Sequence, residues 1–139
     1  MTATLDTRPA RVDIWAELPR LAQAARHHVE RHPELSVASI DVFTTDLGPG
    51  RVEIYVCGDL PLSCLRLLAW WDTLAGTSAC LEIEDDPQQP KAMLFGRLQD
   101  GTQASLVAPL AEEHVIGVDR TRIGDWVLDW LRAHAVATT

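Results

Sequence analysis

The stretch SVASIDVFTTDLGPGRVEIYVC, residues 36–57, decides the fold. Over Ser36–Thr45 the apolar Ala38, Ile40 and Val42 alternate with Ser39 and Asp41. Over Arg51–Cys57, Val52, Ile54 and Val56 alternate with Glu53 and Tyr55. Successive side chains of a strand point to opposite faces, so each half is a strand with one apolar face. Asp46-Leu47-Gly48-Pro49-Gly50 lies between them and is too short for anything but a hairpin turn. A hairpin with one apolar face needs a cover.

Helical patterns on both sides supply it. From Asp13 to His32, the residues Ile14, Leu18, Leu21, Ala25 and Val29 recur at three- and four-residue steps. That is the period of a helix with one buried stripe. Pro19 has no amide proton, so this helix either begins near Leu18 or kinks there, and His32-Pro33 closes it. After the hairpin, Asp59 is an N-cap with Pro61 in the first turn. The helix it opens runs to about Ala75 and stops at Gly76, with an apolar arc of Cys64, Leu67, Leu68, Trp71, Leu74 and Ala75.

Alternation returns in Ala79–Glu84, and the polar Asp85–Pro90 stretch with its two prolines is a turn. Lys91–Gln99 and Gln103–Leu110 flank Asp100-Gly101, a tight-hairpin pair. His114–Val118 reads as one more short strand. Thr121 or Asp119 then caps a last helix to His134, with Ile123, Val127, Trp130 and Leu131 inward. The order is α-β-β-α-β-β-β-α. It predicts an α+β domain with an antiparallel sheet of five strands, six if His114–Val118 joins it, and helices packed upon it. The sheet positions expected in the core are Ile40, Val42, Val52, Ile54, Leu81, Ile83, Leu94 and Leu106. Residues 1–12 read as a loose arm, 13–135 as a single domain and 136–139 as a frayed end. The order of elements is similar to that of small roadblock-type and profilin-like dimerisation domains. The likeness spans most of the chain, lies in element order alone, and implies pairing with another chain.

A length of 139 residues is enough for one hydrophobic core. Hydrophobic residues at 47% and charged residues at 23% exclude wholesale disorder. Twenty acidic against twelve basic residues leave a charge of −8, which repels phosphate backbones and anionic lipid. Neither nucleic acid nor a membrane is the expected partner. No apolar run reaches the roughly 18 residues of a membrane span, and Met1–Arg11 has no apolar signal core. Cys57, Cys64 and Cys80 are odd in number and lack C-x-x-C pairing, so they read as reduced hydrophobes in a cytoplasmic protein. Lys91 is the sole lysine, and the arginine and alanine bias accompanies GC-rich bacterial genomes.

Catalytic signatures are missing: the sequence has no G-x-S-x-G, G-x-G-x-x-G or phosphate-loop pattern. His28 and His32 stand one helical turn apart, the spacing of a shared metal, but no glutamate lies between them as in H-E-x-x-H and no third ligand is signposted. No metal and no cofactor are expected. Cys57 and His114 could act as a thiol and base only if the fold brings them together. The acidic run Glu82-Ile83-Glu84-Asp85-Asp86 reads as a solvated strand face, or as a surface for a basic target.

Five tryptophans among the aromatics are the least ordinary feature. Trp71 and Trp130 fall inside apolar arcs. Trp70 falls on the polar margin, beside Ser63, Arg66 and Thr73, the composition of an interface anchor. The expected function is a non-catalytic interaction module of a bacterial cytoplasm, working as a homodimer or on a protein partner. Arg66, Trp70, Thr73, Glu82 and Glu84 are its expected contact residues. The alternatives are an acidic inhibitor or immunity-type protein that binds a basic target, and a small-molecule enzyme with a hidden pocket.

Overall fold

Capping and periodicity set the first helix, α1, at Ile14–Arg31 in the computed structural model, which describes residues 12–83 and 89–136. Asp13 caps α1 by accepting from the Trp15 amide at 3.1 Å. Pro19 stands inside the helix, which neither waits for Leu18 nor stops. The carbonyl it leaves unbonded, that of Trp15, belongs to the exposed first turn, where water can replace the lost donor. The expected hairpin follows as β1 (Ser39–Thr45) and β2 (Gly48–Tyr55), paired antiparallel with Ile40 opposite Ile54 and Val42 opposite Val52.

The second helix, α2, covers Leu60–Trp71, with Asp59 accepting from the Leu62 amide at 3.0 Å. It ends four residues before the expected Ala75. There the Thr73 hydroxyl donates to the Trp70 carbonyl, and the chain turns directly into β3 (Ala75–Glu82). β4 (Lys91–Arg97) and β5 (Gln103–Pro109) complete an antiparallel meander. His114–Val118 is not a strand. A single 3-10 turn occupies Glu112–Val115, held by the Ala111 amide donating to His114 Nδ1 at 3.1 Å. The sixth strand is instead β6 (Arg122–Ile123), on the outer edge of β3. Neither Thr121 nor Asp119 caps the last helix, α3 (Asp125–Ala135). Gly124 is its N-cap, and the Thr121 hydroxyl accepts from the Ile83 amide at 2.9 Å.

One six-stranded sheet results, in the order β1-β2-β5-β4-β3-β6. It is mixed, not wholly antiparallel as expected, because β5 enters beside β2 and runs parallel to it. Only a few residues separate β1 from β2, β3 from β4 and β4 from β5, and connections that short join antiparallel neighbours. The β2–β5 join is made across α2 and the meander, so no local turn dictates its direction.

All three helices cover one face. There α1 lies on β1 and β2, α2 on β5 and β4, and α3 on β3, β6 and α2. Val52, Ile54, Ala79, Leu81, Leu94 and Leu106 share one core with Leu21, Leu67, Trp70, Val127 and Leu131. Six of the eight expected sheet positions are buried, and the exceptions are both on edge strand β1. Ile40 is 40% exposed and Val42 half-buried, because β1 has a neighbour on one side only. α1 packs against Gly50, where an added Cβ would overlap a Leu21 methyl. The expected N-terminal arm, apart from Val12, and all of the C-terminal end after Val136 lie outside the described residues.

Candidate functional site

Among the described residues the other face of the sheet carries no helix, and cross-strand register arranges its side chains in rows. One row runs Phe43, Arg51, Gln103 and Arg97 across β1, β2, β5 and β4. The next runs Asp41, Glu53, Ser105, Phe95 and Ser78, and a third runs Ser39, Tyr55, Val107, Met93, Cys80 and Ile123. Pro109, Lys91 and Glu82 form the last. At its centre Ser105 and Val107 are buried although no element among the described residues lies over them. Towards the rim the apolar groups emerge: Phe43 is 41% and Phe95 40% exposed.

Among the described residues the charges on this face are balanced. Arg51, Lys91 and Arg97 meet Asp41, Glu53 and Glu82, three of each sign, in a chain of net −8. Arg51 lies 4.3 Å above the Phe43 ring and 3.5 Å from Glu53. Glu53 also accepts from the Tyr55 hydroxyl at 2.7 Å, and this bond to a carboxylate pushes the phenol up to about 12. Lys91 pairs with Glu82 at 3.9 Å. Arg97 has no ion pair among the described residues and rests against Gly76, beside a shallow concavity of about 680 Å³ that includes Ser78, Gln103 and Ser105.

A second constellation lies inside the fold. His28, 1% exposed, stacks on Trp70 with ring centroids 5.5 Å apart and an interplanar angle of 4°. Its Nδ1 accepts from the Gln99 amide at 3.3 Å, and its Nε2 lies 2.8 Å from the Thr73 hydroxyl. The pair resembles a hydroxyl nucleophile with its base, but the protons run the wrong way. An amide only donates, so Nδ1 holds the lone pair and Nε2 the hydrogen. Thr73 accepts that hydrogen and gives its own to the Trp70 carbonyl at 3.0 Å. The same bonds leave neither ring nitrogen of His28 open to a metal, although His32 is only 5.0 Å away between centroids. Among the described residues no group of three or more His, Cys, Asp and Glu is placed to hold one.

The expected contact residues are scattered. Trp70 is not on an exposed edge: it is fully buried, and its indole N–H donates to the Ser36 carbonyl at 3.0 Å. A helical wheel shows which side of α2 is less apolar, but not that the end of α1 and the Leu35–Ser36 segment cover that side. Thr73 is half-buried and belongs to the His28 network. Arg66 is half-buried and donates to the Cys57 carbonyl. Glu82 alone reaches the helix-free face, and Glu84 lies outside the described residues. Cys57 and His114 share no hydrogen bond, and burial pushes the Cys64 thiol up to about 11. Sequence reasoning did not single out Arg51, Met93, Phe95 or Arg97. The usable signal was β4 itself, with Met93 and Phe95 on the face opposite Leu94.

Compared with protein-family models, with curated proteins and with solved structures, the chain gives no match. The similarity to roadblock-type and profilin-like domains therefore stands on element order alone. Among the described residues no helix is long and apolar enough to cross a membrane.

Proposed function

We propose that this chain is a non-catalytic interaction module that pairs with a second copy of itself through the helix-free face of its sheet. The observation that carries the reading is the composition of that face: Phe43, Phe95, Met93 and Tyr55 among charges that sum to zero. Two chains of net −8 repel one another over most of their surface, so a self-contact favours the patch where charge cancels. Its size is also suitable. Five strands about 4.8 Å apart and about seven residues long, at about 3.3 Å each, span roughly 24 by 23 Å. That plane is roughly 550 Å² before side-chain relief is added, towards the smaller end of specific interfaces, which bury about 600–1,000 Å² per partner.

Less supports the alternatives. Of the acidic run Glu82–Asp86, Glu82 is paired with Lys91 and residues 84–86 lie outside the described residues. The His28–Thr73 pair offers an enzyme no base with a free lone pair.

Sedimentation equilibrium tests the proposal on the wild-type chain and on Phe95→Asp. A dimer is expected for the wild type. The substitution is expected to weaken it at least about thirtyfold, the scale of a lost interface anchor, with an unchanged circular dichroism spectrum. A wild-type chain that stays monomeric at 100 µM (roughly the weak limit of a working homodimer) overturns self-pairing, as does a Phe95→Asp dimer of undiminished affinity.

A further inference from the structure

His28 joins three elements that are far apart in sequence. It belongs to the last turn of α1, its Nε2–H reaches Thr73 just after α2, and its Nδ1 holds the Gln99 amide at the β4–β5 turn. Both ring nitrogens are thus committed, in one neutral tautomer that the surrounding donors and acceptors dictate. A second proton could go only to Nδ1, where it would face the Gln99 N–H, donor against donor. We infer that His28 is an acid-sensitive latch, whose protonation breaks the bond to Gln99 and frees the end of α1 from the β4–β5 turn.

The surroundings offer a cation little compensation. On α1 the ring's neighbours are His32, at 5.0 Å between centroids, and His27 and Arg31, which line the same cleft. From α2 it meets the uncharged Trp70 and Thr73. The β4–β5 turn brings Asp100, the one anion of the cleft, which is already engaged by the Thr102 amide at 2.9 Å and by Arg20 at 3.4 Å. Burial first, then His32, holds the His28 pKa below its ordinary value, with Asp100 opposing. The sign follows. The unfolded chain takes up this proton at about pH 6.5 and the folded chain only at lower pH. Stability from this group is therefore complete above about pH 6.5 and is lost as pH falls towards the folded value.

Two measurements on the full chain test the latch, and neither depends on pairing. In an NMR titration at a concentration where one species dominates, the His28 Cε1–H is expected to titrate below about 6.5, with the Gln99 amide shift following the same curve. Urea unfolding between pH 7.5 and 5 is expected to show the folding constant falling up to tenfold for each unit of that depression. His28→Gln keeps an acceptor and a donor without a titrating proton, so it should flatten this dependence. His32→Gln should leave most of it. Titration of His28 at or above 6.5, or a wild-type slope retained in His28→Gln, overturns the inference. So does a slope that vanishes only in His32→Gln. Should His28→Gln fail to fold, the wild-type NMR titration decides alone.

Discussion

The two faces of the sheet are made by the same strands and differ in almost everything else. On the helix side, Val52, Ile54, Leu81, Leu94 and Leu106 are aliphatic and inaccessible. On the other, aromatic rings, a methionine and six charges share the surface, and the two phenylalanines stand about two-fifths exposed. Burial on the first face is a condition of folding, because each apolar side chain removed from water contributes about 1.5–3 kcal/mol. The second face is polar enough to rest in water and apolar enough to gain from cover. The difference separates residues that hold the fold from residues free to serve a contact.

Substitutions on either side can break that separation. Trp70→Ala should have the largest effect, a loss of about 3–5 kcal/mol in urea unfolding. It opens a large cavity and removes both the stack on His28 and the bond to Ser36. A loss below about 1 kcal/mol would mean that Trp70 is not core. Gly50→Ala, on the covered face of β2, should cost about 1–3 kcal/mol, because the new methyl would overlap both a buried Leu21 methyl and the Phe43 carbonyl oxygen, which as backbone cannot turn aside. Phe95→Ser on the open face should change unfolding of the isolated chain by no more than about 0.5 kcal/mol while weakening association. A steep loss of stability there would erase the distinction between the faces.

The smallest effect sharpens the comparison without touching stability. Tyr55 is the only tyrosine, so its ultraviolet titration reports the open face alone. It should ionise near about 12, and Glu53→Gln should bring it back towards the ordinary 10, because the phenol then donates to an uncharged acceptor. An unshifted wild-type titration would mean that the Tyr55–Glu53 bond does not form in solution.

Much of this fold was legible in short stretches of sequence. Alternation in 36–57 carried the first hairpin, Asp100-Gly101 the turn between β4 and β5, and Asp59 the start of α2. Local signals misled where two readings were locally equivalent. Thr121 and Gly124 are both acceptable helix starts, and the choice fell to β6, which pairs with β3 and leaves Thr121 to the Ile83 amide. The candidate site was the least legible part. Its residues are ordinary strand positions 41–107, and they become a surface only when five strands align them in rows.

The sequence by itself determined the three helices, the first five strands and the apolar face of those strands, because these follow from contacts within a turn or two of chain. Only the tertiary structure decided the parallel β2–β5 join, the burial of Trp70 and the proton arrangement on His28. Each depends on which distant segment arrives alongside: β5 beside β2, Ser36 over the indole, Gln99 against the imidazole. Such contacts close loops of tens of residues, at an entropic cost that grows only slowly with their length. No local pattern selects among the partners they admit, so the choice is made by the packing of the whole core.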